Sequence, residues 1–399
     1  MHISDKTPLE STWPAVATVG VGAFALVTTE FLPVGLLPNI AADLAITEGQ
    51  AGLMVTLPGF LAALAAPLTL QWAARLDRRF LLVGLLGLLA ISNALVSVAD
   101  TFWILLVGRV MLGLAVGSFW TIAGTLGFRL RPAQGARATA LIFSGVSLGT
   151  VAGVPAGTLL GDWLGWRVVF EVAAVTSMLV ALALYRLLPS LPSQTQTGAA
   201  ALFKLMNEPS PRLGLLAVLL VFSGQFAAYT YVAPYLDGLI GLNSQMLSLA
   251  LLVFGVAGFI GNGLGATLIN KGIQTAMAVT LILMAAPMLI LAALPSLQLA
   301  VSSVVFVLIL LWGLGFGLLP MVMQSWLFSL APTQPETMGA VFVCSAQVSI
   351  GIGALGGGLL VDNLGVVTAM AAGGVLAGIT LLVLRSHRLN VNQQETKAI

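Results

Sequence analysis

The stretch Thr28–Pro38, with the sequence TTEFLPVGLLP, places a carboxylate inside an apolar run that extends from about residue 14 to residue 38. At about 1.5 Å per helical residue, this run is long enough to cross a bilayer. A charged side chain at the centre of a membrane costs about 2.5–3.5 kcal/mol even on lenient insertion scales. Glu30 therefore requires a compensating role, and the rest of the chain indicates which one.

The composition is that of a membrane protein. Of 399 residues, 59% are hydrophobic and only 8% are charged, whereas soluble proteins carry about 25% charged residues. The net charge of +2 argues against a nucleic-acid partner. The single cysteine, Cys344, excludes an internal disulfide. Because His2 and His387 lie outside the apolar runs, we expect no metal site in the membrane and no cofactor.

Twelve apolar runs are long enough to span a bilayer. They cover about residues 14–38, 49–71, 80–98, 102–127, 138–160, 167–187, 213–236, 246–269, 275–294, 299–329, 338–361 and 366–385. The runs are continuous, which predicts helices and not the alternating strands of a barrel. The first run lacks a preceding cationic region and a cleavage site, so we expect it to remain as a helix. The predicted fold class is an all-α integral membrane protein.

A polar segment divides the twelve helices into two groups of six. Residues 188–212 contain four prolines among Ser, Thr and Gln, which is typical of a linker. We therefore predict an N-terminal bundle at 1–187 and a C-terminal bundle at 213–399.

The basic residues predict the orientation in the membrane. If the N-terminus is cytoplasmic, fourteen of the sixteen Lys and Arg residues lie on that side, and the two exceptions are Arg109 and Arg167. This distribution follows the positive-inside rule and predicts that both termini are cytoplasmic.

The two halves resemble each other at a shift of about 200 residues. The matched positions are Gly113 and Gly117 with Gly313 and Gly317, Asp162 with Asp362, and Thr29, Glu30 and Pro33 with Thr230, Tyr231 and Pro234. Chance similarity between glycine-rich helices is the alternative, but several matches at nearly one shift favour duplication. Parallel repeats with a binding site between them are typical of transporters, so we predict two pseudo-symmetric bundles.

Glu30 and Arg109 have uncharged counterparts in the second half, Tyr231 and Ile309. Each charge lies roughly 10–12 Å from the outer end of its helix, so the two can meet directly or through water. Desolvation favours a neutral carboxylate and a nearby guanidinium favours a charged one, so Glu30 is suited to carrying a proton. We predict proton coupling for both residues; the alternative is a static ion pair that fixes helix register.

Polar and aromatic side chains in the other runs are candidates for lining a solute cavity, since amides and phenols can hydrogen-bond a ligand. They are Trp120, Gln225, Tyr229, Tyr231, Gln324 and Gln347. For each of them, a helix–helix contact is the alternative.

Three motifs carry a family resemblance. Arg109–Gly117, RVMLGLAVG, resembles the R-x-x-x-G-x-x-x-G motif of major facilitator drug and sugar efflux proteins, and Gly149–Gly157, GTVAGVPAG, resembles their antiporter motif. Ala74–Arg79, ARLDRR, resembles their D-R-x-G-R-R loop, with Ala74 in place of the acid and Asp77 in place of Gly. The first-helix stretch is similar to bacterial sugar-efflux and arabinose-efflux-like permeases. The resemblance implies gating or helix-packing roles for Arg75, Asp77, Arg78, Arg79, Gly113, Gly117, Gly149, Gly153, Pro155 and Gly157.

The resemblance also implies a function. We expect a monomeric, proton-coupled exporter of sugars, nucleosides or drugs in a bacterial inner membrane, whose partners are the solute, protons and lipid. A proton-coupled symporter that drives uptake is the nearest alternative. A membrane-embedded hydrolase would need a nucleophile with a base or metal ligands, which the runs do not offer, so we do not expect an enzyme. The duplicated bundles and the lack of charged rings argue against a channel.

Overall fold

The computed structural model describes residues 12–72, 76–192, 209–295, 302–331 and 334–398. Regular structure in these ranges is helical, and no strand occurs in them. Twelve helices within the described ranges are long and apolar enough to cross a membrane, which confirms the predicted fold class.

The helices follow the apolar runs closely. The first half contains α1 (Trp13–Asp43), α2 (Glu48–Ala51 and Leu53–Trp72), α3 (Arg78–Ser97), α4 (Phe102–Leu130), α5 (Gly135–Leu148, a π-helical turn Gly149–Gly153, and Val154–Leu164) and α6 (Trp166–Leu187). The second half contains α7 (Pro209–Tyr229, Val232–Pro234 and a π-helical turn Tyr235–Leu239), α8 (Ser244–Asn270), α9 (Ile273–Ala293), α10 (Ser302–Leu330), α11 (Pro335–Leu364) and α12 (Val366–Ala398).

The two halves repeat one packing scheme. In the first half, α1 packs on α5 and α6, α2 packs on α4, and α3 packs on α6. In the second half, α7 packs on α11 and α12, α8 packs on α10, and α9 packs on α12. Each pair is the counterpart of one six helices earlier, as duplication of a six-helix bundle predicts.

The segment that follows α6 continues the first half. Leu188 and Leu191 are buried in the core formed by α1, α3, α4 and α6. We call the end of the molecule where α6 ends and α7 begins the linker face, and the other end the opposite face.

Helices within each half approach closely where one of them presents glycine. A Cβ atom on Gly117 of α4 would lie 2.1 Å from the carbonyl oxygen of Ala62 on α2. A Cβ atom on Gly157 of α5 would lie 2.1 Å from the Leu32 side chain on α1. Because the Ala62 backbone cannot move aside and the Leu32 side chain would have to change its rotamer, the glycines set the close spacing of the helices that carry Glu30 and Arg109.

Candidate functional site

Arg109 is fully buried at the junction of three helices of the first half. Its Nε donates to the Met54 carbonyl of α2 at 2.7 Å, and its two terminal nitrogens donate to the Thr29 and Glu30 carbonyls of α1, each at 3.0 Å. The guanidinium therefore bonds to the backbone oxygen of Glu30 and not to its carboxylate. The opposite charges of the two side chains still attract each other.

Two prolines explain why two of these carbonyls, those of Thr29 and Met54, need a donor. In an α-helix, a carbonyl accepts from the N–H group four residues later. Four residues after Thr29 stands Pro33, and four residues after Met54 stands Pro58, and proline has no N–H group. Arg109 supplies the missing donors to both helices. A neighbouring side chain that satisfies proline-freed carbonyls is what makes proline tolerable inside a membrane.

The carboxylate of Glu30 faces the second half. Glu30 is 4% exposed, and its Oε1 accepts a hydrogen bond from Nε2 of Gln347 on α11 at 3.5 Å. Among the described residues, the charged group that acts on this carboxylate is Arg109 of α4. Glu30 is thus held by the first half through its backbone and reaches the second half through its side chain.

Aromatic rings pack beside this contact. Phe31, the neighbour of Glu30, stacks on Phe226 of α7 with ring centroids 5.5 Å apart. We call the rings of the second half at this position the aromatic cluster. Its members are Phe226, Tyr229, Phe254, Trp312 and Phe316, which join α7, α8 and α10.

The aromatic cluster also holds one of the predicted cavity amides. Trp312 Nε1 donates to Oε1 of the fully buried Gln225 at 2.7 Å. The amide nitrogen of Gln225 is buried and has no hydrogen-bond partner within the described part of the chain. The cluster is therefore a closely packed set of rings, of which Phe316 is half-buried, with the unpaired amide nitrogen of Gln225 beside it.

Three other predicted cavity residues, Tyr231, Trp120 and Gln324, lie outside the aromatic cluster. The Tyr231 hydroxyl donates to the Ala354 carbonyl at 2.8 Å, and its ring packs against Gly52 of α2, so Tyr231 lies in a contact between the halves. Trp120 packs against Phe119 and Phe143 in the linker-side part of the first half. Gln324 is half-buried near Gly339, towards the linker face of the second half.

Two carboxylates connect the halves at the opposite face. Asp362, at the end of α11, accepts from the Thr47 hydroxyl at 2.7 Å and from the Gly49 N–H at 3.0 Å, at the start of α2. Asp162, at the end of α5, accepts from the Ser244 hydroxyl at 2.7 Å, at the start of α8. Hydrogen bonds between the halves that join two described residues all lie between Glu30 and this face.

The loop before α3 binds the segment after α6. Asp77 accepts from the backbone N–H groups of Arg79 at 2.8 Å and Leu191 at 3.0 Å, and from the Ser190 hydroxyl. Burial acts to raise the pKa of Asp77, but these hydrogen bonds and the charge of Arg79 hold it below its ordinary value.

Two basic residues of this loop form hydrogen bonds with the end of α6 and the segment that follows it. Arg78 is buried, with its N–H group bonded to the Leu191 carbonyl at 2.9 Å, and Arg79 bonds to the Tyr185 carbonyl. Arg75 lies outside the described residues.

The glycines of the two motifs lie at close helix crossings. Gly113 and Gly117 face Pro58 and Ala62 of α2. Gly149, Gly153 and Gly157 face Val27, Thr28 and Leu32 of α1. The carbonyl of Pro155 instead accepts from the Ser248 hydroxyl of α8 at 2.8 Å, which joins the halves.

Several of these residues went unnoticed in the sequence. The pairing of Arg109 with Pro33 and Pro58 had a signal, because each proline frees a carbonyl at a known position four residues earlier. The contact of Glu30 with Gln347 had none, since residues so far apart in the chain share no local pattern.

A comparison with known proteins identifies the fold and the family. The model of the Major Facilitator Superfamily matches residues 19–354. The chain belongs to this superfamily. Its members are membrane transporters, so the protein is a multi-pass transporter and not an enzyme.

Efflux proteins of the superfamily are close relatives. The purine ribonucleoside efflux pump NepI of Salmonella typhimurium (strain LT2) is 36% identical over 377 residues, which cover 93% of each chain. NepI of Salmonella enteritidis PT4 matches with the same identity and coverage.

Solved structures share the fold at low identity. The nucleoside transporter NupG superposes with a TM-score of 0.76 at 13% identity, covering 93% of this chain and 98% of that one. A bacterial homologue of the human lysosomal transporter Spinster, in an inward-facing and unoccupied conformation, gives a TM-score of 0.71 at 16% identity and covers 93% and 95%.

Proposed function

We propose that the protein exports purine nucleosides across a bacterial inner membrane in exchange for protons. The linker face then lies in the cytoplasm, where fourteen of the sixteen Lys and Arg residues lie. The hydrogen bonds between the halves that join two described residues lie between Glu30 and the opposite face, which supports an inward-open state with that face on the periplasmic side.

The observation that carries the proposal is the position of Glu30. It is the carboxylate at the junction of the two halves, with its backbone tied to α4 and its side chain tied to α11. Alternating access moves one half against the other around a central site. A proton carrier at that junction is exposed to each side in turn, as exchange requires.

The relatives and the aromatic side chains near Glu30 support a purine nucleoside as the solute. Relatives that span nearly the whole chain are named as purine ribonucleoside pumps. A purine base is flat and apolar on its faces and polar at its edge. Phe31 and Phe316 are half-buried and offer stacking surfaces, while Gln347 offers an amide for the edge.

In the proposed cycle, the solute enters from the cytoplasm while Glu30 releases its proton to that side. The halves then rock, the periplasmic contacts open, and Glu30 takes up a proton as the solute leaves. Because the carboxylate alternates between charged and neutral forms, solute and proton occupy the transporter in turn.

Everted membrane vesicles acidified inside test the proposal. They should accumulate radiolabelled inosine, and a protonophore should abolish the accumulation. Glu30→Gln keeps size and hydrogen bonding but cannot release a proton, so it should reduce accumulation to the level of empty vesicles. Glu30→Asp should retain part of it. The matched control is Glu171→Gln, which removes an exposed carboxylate of α6 and should leave transport unchanged.

Other results would redirect the proposal. Gradient-driven accumulation in right-side-out vesicles only would show a symporter that drives uptake. Uphill export by Glu30→Gln would show that the proton takes another path. Accumulation of sugars or cationic drugs, but not of inosine, would reject the nucleoside as the solute.

A further inference from the structure

Gln347 is the side chain of the second half that touches Glu30. Its Nε2 donates to the carboxylate at 3.5 Å, and the residue is 7% exposed. Its amide oxygen has no hydrogen-bond partner among the described residues, and unlike the Gln225 nitrogen it is not sealed from solvent. Gln347 thus contacts the proton-carrying group with one end of its amide and leaves the other end free.

A primary amide can donate to either form of a carboxyl group, but its oxygen can accept a hydrogen bond only from the protonated form. An ionised carboxylate only accepts hydrogen bonds, so the amide must turn its N–H group towards Glu30 and its oxygen away. A protonated carboxyl donates through its O–H, so the amide oxygen can turn towards Glu30 and the N–H group away. A half-turn of the terminal amide exchanges the two arrangements without moving a helix.

From this geometry we infer that Gln347 converts the protonation state of Glu30 into a choice between hydrogen-bond acceptor and donor for the solute. With Glu30 ionised, Gln347 offers an acceptor, which suits an N–H donor such as that of a purine ring. With Glu30 protonated, it offers a donor, which opposes the same N–H group. Gln347 is therefore a positioning residue that makes proton and solute binding mutually exclusive.

The neighbouring charges are compatible with this role. Among the described residues, Arg109 is the charged group that acts on Glu30, and three of its five N–H groups donate to backbone carbonyls. Its hydrogen bonds hold the Arg109 guanidinium in one position, whereas the amide of Gln347 is the neighbour of Glu30 that can reorient. The inference rests on the proposed exchange of nucleosides for protons.

The test measures inosine binding and proton release on the purified full-length transporter in detergent. Wild-type protein should bind inosine at least about tenfold more tightly at pH 8 than at pH 6, and should release protons into weakly buffered solution on binding. Gln347→Met keeps the length of the side chain without hydrogen bonding, so its affinity should lose most of that pH dependence and its proton release should fall by more than half.

Two further variants separate coupling from folding. Gln347→Asn keeps an amide but is too short to reach Glu30, and should also bind inosine without releasing protons. Gln134→Met changes an exposed glutamine just before α5, outside the predicted cavity and away from Glu30, and should behave as wild type. If Gln347→Met and Gln347→Asn release protons as wild type does, the role of Gln347 is rejected while nucleoside–proton exchange stands. If the wild-type protein binds inosine without releasing protons, the exchange itself is rejected.

Discussion

At the scale of single residues, Arg109 shows how a membrane protein can bury a charge. Its guanidinium lies among backbone oxygens of α1 and α2, two of which lack their helical donor because of Pro33 and Pro58. The hydrocarbon core of a bilayer holds no bulk water that could satisfy such a carbonyl. The charge and the two freed carbonyls therefore compensate one another, and they fix the backbone that presents Glu30.

This arrangement predicts that the need for Arg109 depends on the prolines. Arg109→Leu should lower the stability of the detergent-purified protein, since each buried carbonyl left unpaired costs about 1–3 kcal/mol. Arg109→Lys should recover only part, because an ammonium group lacks the planar fork that reaches three oxygens. In a Pro33→Ala, Pro58→Ala background the returned N–H groups satisfy both carbonyls, so Arg109→Leu should cost less by about 2–6 kcal/mol.

Thermal unfolding of the four combinations measures this coupling. An equal loss of stability on Arg109→Leu in both backgrounds would show that the guanidinium does not compensate the prolines. Transport assayed in parallel separates stability from coupling, because a purely structural Arg109 would be dispensable for exchange once the prolines are gone.

At the scale of elements, the crossing of α2 and α4 depends on the absence of a side chain. A Cβ atom on Gly117 would lie 2.1 Å from the Ala62 carbonyl oxygen, and backbone cannot move aside as a side chain can. Gly117→Ala should therefore force the helices apart and cost about 1–3 kcal/mol.

Gly84 on α3 provides the matched control. It is exposed, and an added Cβ would meet no atom within 4 Å among the described residues. Gly84→Ala should be neutral, or stabilising by up to about 1 kcal/mol through helix propensity. Melting temperatures in detergent compare the two variants, and equal shifts would show that close packing at Gly117 is unimportant.

The elements were far more predictable from the sequence than their contacts. Apolar runs located all twelve spans, because hydrophobic length alone decides which segments enter a bilayer. The predicted ends fell short where helices continue into polar residues, as in α1, which ends at Asp43 and not near Pro38. The π-helical turns at Gly149–Gly153 and Tyr235–Leu239 left no signature in hydropathy.

The candidate site was predictable only in part. Glu30 and Arg109 stood out as charges in apolar runs, but whether they paired depended on the spacing and rotation of the helices. The structure shows that Arg109 donates a hydrogen bond to the backbone carbonyl of Glu30, whereas Gln347 donates one to its carboxylate. Packing between helices sets such contacts, and it follows from surfaces that a linear pattern does not describe.

At the scale of the whole molecule, the contacts between the halves at the opposite face repeat the internal duplication. Asp162 and Asp362 occupy matched positions at the ends of α5 and α11, and each binds the first turn of a helix in the other half. The start of a helix carries partial positive charge, which favours a carboxylate there. Two equivalent contacts placed across the pseudo-symmetry axis can open together when the halves rock.

We therefore expect the two carboxylates to hold the periplasmic side closed. In Asp162→Asn the amide loses the charge that strengthens one hydrogen bond, at a cost of about 1 kcal/mol, and in Asp362→Asn it also replaces one of the two accepting oxygens, which costs more. Asp162→Asn should shift the equilibrium towards the outward-open state by about fivefold, and Asp362→Asn should shift it further. The two contacts share no residue, so the shifts should add in the double variant.

Distances between spin labels on Asp100→Cys and Asn363→Cys, two exposed positions at the opposite face of different halves, measure this equilibrium in a Cys344→Ser background. The long-distance population should grow from wild type to the single variants and further in the double variant. Ser244→Ala removes the donor to Asp162 and should reproduce Asp162→Asn, whereas Thr47→Val leaves the Gly49 N–H on Asp362 and should have a smaller effect than Asp362→Asn. An unchanged distance distribution in the double variant would mean that packing alone, such as that of Gly59 against Gly351, closes the periplasmic side.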